Sequence, residues 1–179
     1  MNPSRRNEIL LAINQLAASE TGEITGADKI LSKCCEIIMQ NQEYCLIWAG
    51  TRDNDGTAIT PLTALTSANI PDRDCMYLVE QVITDMSTSN PAAEALLSGS
   101  KVIIQDVRNT KHYNSLREIS LKTGFRSCSS WPLKYRGHEF GVINIHSEKV
   151  GCFTAEEISF LQTVIADIAL ALYTQDMTK

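Results

Sequence analysis

The chain has 179 residues, 44% of them apolar and 21% charged, and a formal net charge of −5. That length fits one domain with its own core, and the composition is that of a folded globular protein. The acidic balance argues against a nucleic-acid-binding surface, which needs clustered Lys and Arg, and no run approaches the roughly 18–20 apolar residues of a membrane span.

The amino terminus, MNPSRRNEILLAINQLAAS, puts charges ahead of apolar residues but interleaves Asn7, Glu8, Asn14 and Gln15. The spacing of Ile9, Ile13 and Leu16 predicts an amphipathic helix over 4–19 rather than a signal-peptide core. A cytoplasmic protein without membrane insertion is expected. TGEITGAD breaks this helix, and Thr25 or Asp28 can cap a second one that runs to about Gln40. Its apolar stripe is Ile30, Leu31, Cys34, Ile37 and Ile38. EYCLIWAGTRDNDGTAITPLTALT then reads as strand, turn, strand, with Asp53-Asn54-Asp55-Gly56 as the turn. Residues 71–90 predict a short helix near Tyr77 and a short strand at Val82-Ile83-Thr84.

NPAAEALLSGS predicts a two-turn helix with Asn90 as N-cap, Pro91 at its first position and Gly99 as its stop. KVIIQDV is a buried strand, and KHYNSLREISLKTG a helix ending at Gly124. GFRSCSSWPLKYRGHEFGVINIHS follows as a hairpin. A last helix runs from Thr154, which forms a capping box with Glu157, to about Tyr173. Hairpins in place of alternating β-α-β units predict an α+β fold, an antiparallel sheet with helices layered on it.

The first strand of that hairpin is chemically unusual. Ser127, Cys128, Ser129 and Ser130 stand in a row before Trp131 and Pro132, where strands normally carry β-branched or aromatic residues. Strict alternation puts Ser127, Ser129 and Trp131 on one face and Arg126, Cys128 and Ser130 on the other. Alternation alone does not choose which face looks into a pocket. Small side chains would leave floor space for a ligand; equally, they would admit a helix packed close across the strand. The six cysteines, at 34, 35, 45, 75, 128 and 152, form no Cys-x-x-Cys pair. Without a secretory signal they read as reduced thiols, most simply as small buried hydrophobes.

YCLIWAG, NPAAEALLSGSKVIIQDV, SLREISLKTGFRSCSSWPLKYRGHEFGVINIHS and CFTAEEISFLQTVIADIALAL, in this order and spacing, resemble a GAF domain over about residues 26–173. The resemblance is to the modules found beside diguanylate cyclase, phosphodiesterase and histidine kinase domains in bacteria. It implies a GAF-like sheet of about six antiparallel strands, with the terminal helices on one face and a small-molecule pocket on the other. The implied organisation is a helix and connector over 1–25, the domain over 26–173 with 154–173 as its last helix, and a tail over 174–179. The ligand-binding residues expected on this basis are Ser127, Ser129, Trp131, Asn144, His146, Asp106 and Tyr113.

The chemistries such domains carry can be tested residue by residue. A covalent bilin needs a cysteine on the helix before the hairpin, near Ser115-Leu116, and none stands between Cys75 and Cys128. The Asn-Lys-x-Asp pattern of cyclic-nucleotide pockets has no match. A phosphate at Asn90-Pro91-Ala92 would meet Asn and Ala where the related turn has Gly-Pro-x-Gly, which reduces backbone access. Haem would need His112, His138 or His146 as axial ligand, and each stands without supporting ligands. The cofactor is therefore left unassigned. One GAF family reduces free methionine sulfoxide with thiols. Cys75 and Cys128 could meet in space, but the surrounding motifs differ from that family's and a non-enzymatic module is expected.

Ile158, Leu161, Ile165, Ile168 and Leu172 form a heptad seam, and Phe160, Val164 and Ala169 widen it beyond one stripe. The extra width needs a second partner, either the first helix or a symmetry mate. A homodimer through Ile9, Ile13, Leu16 and the Ile158–Leu172 helix is expected. The chain ends at Met177-Thr178-Lys179 without an output domain, so a longer parent protein is expected as well. A dimerisation module with a self-filled pocket is the alternative to a sensor.

Overall fold

Turn chemistry sets the pairing of the sheet. The computed structural model describes residues 3–18, 26–67, 79–80 and 89–177. Thr25, Cys75, the helix expected near Tyr77 and the strand expected at Val82–Thr84 lie outside the described residues. Strands β1 (Leu46–Arg52) and β2 (Ile59–Thr66) form the first hairpin. The Asp53 carboxylate closes their turn by accepting from the N–H of Thr57 at 2.8 Å and of Ala58 at 3.1 Å. After β3 (Val102–Ile104), strands β4 (Ser127–Tyr135) and β5 (His138–Ser147) form the second hairpin. Its two-residue turn holds Arg136 at φ 48° and Gly137 at φ 83°, the doubly positive pattern of a type I′ turn that matches strand twist.

The strands lie in the order β2-β1-β5-β4-β3, each pair antiparallel. The α+β architecture is thus the expected one, with five strands among the described residues. Gly141 is required where β5 crosses β1, because a Cβ there would lie 2.2 Å from the Gly50 carbonyl oxygen.

The helices are α1 (Pro3–Ala18), α2 (Ala27–Ile38), α3 (Pro91–Ser98), α4 (Asn114–Thr123) and α5 (Ala155–Met177). Asn90 caps α3, its side chain accepting from Ala93 N–H at 2.8 Å, and Gly99 and Gly124 stop α3 and α4. Gly26, not Asp28, occupies the cap of α2. The Thr154 hydroxyl accepts from Glu157 N–H at 3.2 Å, and α5 continues past Tyr173 to Met177.

Each face of the sheet has its own core. Ile47, Ala49, Trp131, Leu133, Ile143 and Ile145 pack beneath α1, α2 and α5. Leu46, Trp48, Cys128 and Val142 pack beneath α3 and α4 with Ile104, Phe125 and Tyr113. The width of the α5 stripe is taken up inside one chain: α1 lies against α5 and α2, and Ile9 and Ile13 are fully buried there. Leu161, Ile165, Ile168 and Leu172 are buried as well, while Leu16 and Ile158 are half-buried at the margin. Within the chain, α1 is the second partner that the width of α5 needs.

A buried carboxylate fastens this layer. Glu157, near the start of α5, receives Arg6 Nη2 at 2.9 Å, Asn41 Nδ2 at 3.3 Å and the Tyr44 hydroxyl. Burial alone would lower the pKa of the Arg6 guanidinium, but its hydrogen bonds to Glu157 and Glu156 outweigh that and raise it. The same burial, with the Glu157 charge, pushes the Tyr44 phenol well up, so it stays a donor.

Ile13→Glu puts an unpaired charge in this core. The expected outcome is a loss of ~3 kcal/mol or more in urea unfolding, not a folded chain released from a dimer. A variant that keeps its urea midpoint while its sedimentation mass falls by half would contradict the intramolecular packing.

Candidate functional site

The face opposite the terminal helices carries polar side chains in its middle strands. Register places Ile104, Cys128, His146 and Leu46 in one row across β3, β4, β5 and β1. The adjacent row on that face is Val102, Ser130, Asn144 and Trp48. Asn144 is 2% and His146 3% exposed. Ser130 Oγ donates to Asn144 Oδ1, which leaves the Asn144 Nδ2 amide without a partner. Neither His146 nitrogen has a hydrogen-bond partner. Its ring meets Phe125 edge-on, with centroids 4.7 Å apart.

Buried polar atoms are nearly always paired, and each one left alone costs about 1–3 kcal/mol. Three such atoms lie on one face of one strand, at Asn144 and His146. Burial pulls the His146 pKa down to about 3, so the ring is neutral at pH 7 and offers one N–H donor and one acceptor nitrogen.

An open cleft of about 580 Å³ runs along β3 at the edge of this face. Glu94, Lys101, Ile104, Asp106, Asn109 and Tyr113 contribute to its walls. The Tyr113 hydroxyl donates to the Glu94 carboxylate, and burial with that bond pushes its pKa up. Asp106 is engaged in holding the backbone: both its oxygens take Arg126 Nη2 at 3.1 Å, and it accepts from the Arg108 N–H at 3.2 Å. This fixes the short 3₁₀ turn Val107–Asn109 between β3 and α4. Ile104 belongs to both the cleft wall and the His146 row, so the polar floor begins one strand in from the cleft.

Of the residues singled out in the sequence, Asn144 and His146 lie on this floor and Asp106 and Tyr113 in the cleft. Ser127, Ser129 and Trp131 do not join them. Trp131 packs in the core beneath α5, where its indole N–H donates to Ser129 Oγ at 2.8 Å. Ser127 Oγ donates to the Lys149 carbonyl at 2.7 Å. The small-then-large pattern is thereby explained: Ser129 satisfies the indole nitrogen that burial would otherwise orphan. Ser130 and Cys128 face the floor instead.

The physical reason is a β-bulge. From the turn, Tyr135 pairs with His138 and Lys134 with Glu139, a register that would carry Ser129 opposite Asn144. Between Leu133 and Lys134 the register shifts, and Ser130 takes that place. A one-residue slip exchanges the faces of every later side chain.

The described thiols are held protonated. Burial pushes Cys34 and Cys45 up to about 12, and Cys35 and Cys128 higher still. Among the described residues, no group of three or more His, Cys, Asp and Glu is placed to hold a metal ion. None of the described helices is long and apolar enough to cross a membrane.

Comparison with known proteins bears on this arrangement. The profile of the GAF domain family matches residues 25–172. No curated protein matches the chain. Among solved structures, it is similar to the free methionine-R-sulfoxide reductase of Neisseria meningitidis in complex with its substrate. That match has 14% identity and a TM-score of 0.74, and covers 100% of this chain and 96% of the other. The GAF domain of a phosphoenolpyruvate-protein phosphotransferase from Coxiella burnetii has 11% identity and a TM-score of 0.74, covering 99% and 98%. The corresponding Acinetobacter domain has 12% identity and a TM-score of 0.69, covering 99% of each chain. At these identities the likeness is one of fold.

Two measurements check the placement of these residues. Trp131→Ala should cost about 3–5 kcal/mol in chemical unfolding and Ser129→Leu about 1–3, as changes in a packed core do. Near-neutral values for both would return them to a pocket. For His146 the folded pKa of about 3 lies below the ordinary 6.5. The unfolded chain therefore binds the extra proton, and stability falls as pH drops from about 6.5 toward 3. Between pH 7 and 5 the wild type should lose about 2 kcal/mol more than His146→Leu. Parallel pH profiles would show that His146 does not sit in a dry site.

Proposed function

The chain belongs to the GAF domain family, and on that premise we propose that it is a non-enzymatic sensory module that binds a small molecule on the floor formed by β4 and β5. The observation that carries this reading is the trio of partnerless buried atoms, Asn144 Nδ2 and both His146 nitrogens. A self-filled spacer would have no reason to keep three polar atoms dry and unpaired, since each costs about 1–3 kcal/mol. Binding would be relayed through α1 and α5 to an output domain of a bacterial signalling protein.

Thiol chemistry is the competing activity, because the fold is shared with reductases of free methionine sulfoxide. A nucleophilic cysteine needs a thiolate, favoured by a nearby cation or helix N-terminus. Cys128 faces the floor, but burial drives its pKa up and its cross-strand neighbour His146 is neutral. This supports binding over turnover.

Native mass spectrometry of freshly purified protein tests the reading directly. The expected spectrum shows the chain with a non-covalent adduct that dissociates on collisional activation and is missing from Asn144→Leu. Consumption of free methionine sulfoxide in the presence of a thiol reductant, abolished by Cys128→Ser, would replace the sensor with an enzyme.

A further inference from the structure

The floor also restricts what its ligand can be, given that the β4–β5 face is a ligand site at all. We infer that the ligand enters this floor with an uncharged head that both accepts and donates hydrogen bonds, a primary amide or a group of the same pattern, rather than a carboxylate, phosphate or ammonium.

The inventory of unused valences leads there. Asn144 has spent its carbonyl on Ser130 and keeps its Nδ2 donors. Ser130 has spent its proton on Asn144 and keeps acceptor capacity at Oγ. His146, neutral and unpartnered, adds one donor and one acceptor. The floor therefore presents donors and acceptors side by side, and a ligand that only accepts or only donates leaves part of it unsatisfied.

Charge is excluded by the same rows. Ile104, Cys128, His146, Leu46, Val102, Ser130, Asn144 and Trp48 include no Asp, Glu, Lys or Arg. In the cleft Asp106 already holds Arg126 and Glu94 accepts from Tyr113, while Glu148 shares a small cavity with Leu46 and Phe125 and offers an anion no counter-charge. An anion or cation brought onto the floor would lose its hydration without gaining a counter-charge. An amide loses little, because its carbonyl can take the Asn144 or His146 N–H and its NH₂ can donate to the His146 nitrogen or Ser130 Oγ. Trp48 beside Asn144, and Phe125 against His146, are apolar surfaces suited to a flat group. Overhead, α3 crosses β4 and β5 with Ala92, Ala93, Ala95 and Leu96 buried.

The test uses the full chain with its histidines labelled with ¹⁵N. Formamide, acetamide and nicotinamide are titrated against formate, acetate and nicotinate, matched in shape and differing in charge and donor count. The expected result is a saturable shift of the His146 ring nitrogens with at least one amide. The matched acid should bind at least tenfold more weakly, and the shift should vanish in Asn144→Leu. Asn144→Leu also takes the acceptor from the Ser130 hydroxyl, so the loss is read as well in Ser130→Ala/Asn144→Leu, which removes both partners and leaves no orphan, and the thermal melts of both verify folding. Lys101→Ala, in the cleft wall, should leave the amide shift unchanged.

No shift with any amide, or an acid that binds as well as its amide, overturns the inference. A charged adduct retained by the wild type in native spectra but lost from Asn144→Leu would overturn the uncharged head while leaving the site standing. No adduct and no shift with either series, with the floor filled by water alone, would remove both the head group and the site.

Discussion

One buried carboxylate governs how the chain closes. Glu157 sits within the first turn of α5 and is reached by Arg6 from α1 and by Asn41 and Tyr44 from the segment between α2 and β1. An ion pair in such a place returns its desolvation cost only when the remaining valences are filled, and here a phenol and an amide fill them. Arg6 is held by Glu156 as well as by Glu157, so α1 is tied to the start of α5 through two carboxylates. The network therefore fixes α1 against α5, and the apolar width of α5 that a lone helix could not cover is spent on Ile9 and Ile13 of the same chain.

With one sheet face sealed in this way, the other is where polar chemistry is tolerated. Helices α3 and α4 are short and contribute alanines as well as leucines to their core, whereas the α5 side is closed by isoleucine, leucine and phenylalanine. Asn144 and His146 stand on the α3–α4 side, both buried. Their unpaired atoms represent stored free energy that any partner supplying matching hydrogen bonds would release. The cysteines fit this division: Cys34 and Cys35 behave as apolar filler under the helices, and Cys128 as a small floor residue.

Much of this could be read from local sequence because local physics decides it. Asn90-Pro91 and Gly99 bracket α3, Arg136-Gly137 makes a tight turn, and the Ile9–Ile13 spacing gives α1 its buried stripe. What could not be read depends on one residue of register. Asn144 and His146 belong to a β5 face defined against Ile143 and Ile145, and alternation finds them. Between the pairs Leu133–Gly141 and Lys134–Glu139 the extra residue Phe140 of β5 shifts the register, so Ser130 and Cys128 replace Ser129 and Ser127 as their neighbours. A bulge has no compositional mark as clear as a turn's. The partner of the α5 stripe was equally hidden, because a periodic stripe states that something covers it and not which helix does. Arg6 facing Glu157, 151 residues apart, is the long-range pairing that decides the matter.

Strand β5 joins the two halves of the molecule. Its even-numbered residues Val142, Asn144 and His146 look toward α3 and α4, while Ile143 and Ile145 look toward the terminal helices. Side chains on opposite sides of a strand share one backbone, so a tilt of β5 that improves hydrogen bonds at Asn144 must also move Ile143 and Ile145 under α5. Interiors packed at crystal-like density transmit such a shift instead of absorbing it. The hairpin tip provides a second point of purchase. Arg136 lies over the Tyr135 and Tyr173 rings at 5.6 and 5.9 Å, and His138 meets Tyr173 at 5.3 Å. Tyr173 is near the end of α5, so the far end of the helix is held by the tip of the same β4–β5 hairpin that carries the polar floor. The start of α5 is fixed through Glu157 and its end through Tyr173. The β4–β5 hairpin and the Glu157 network therefore hold α5 at its two ends.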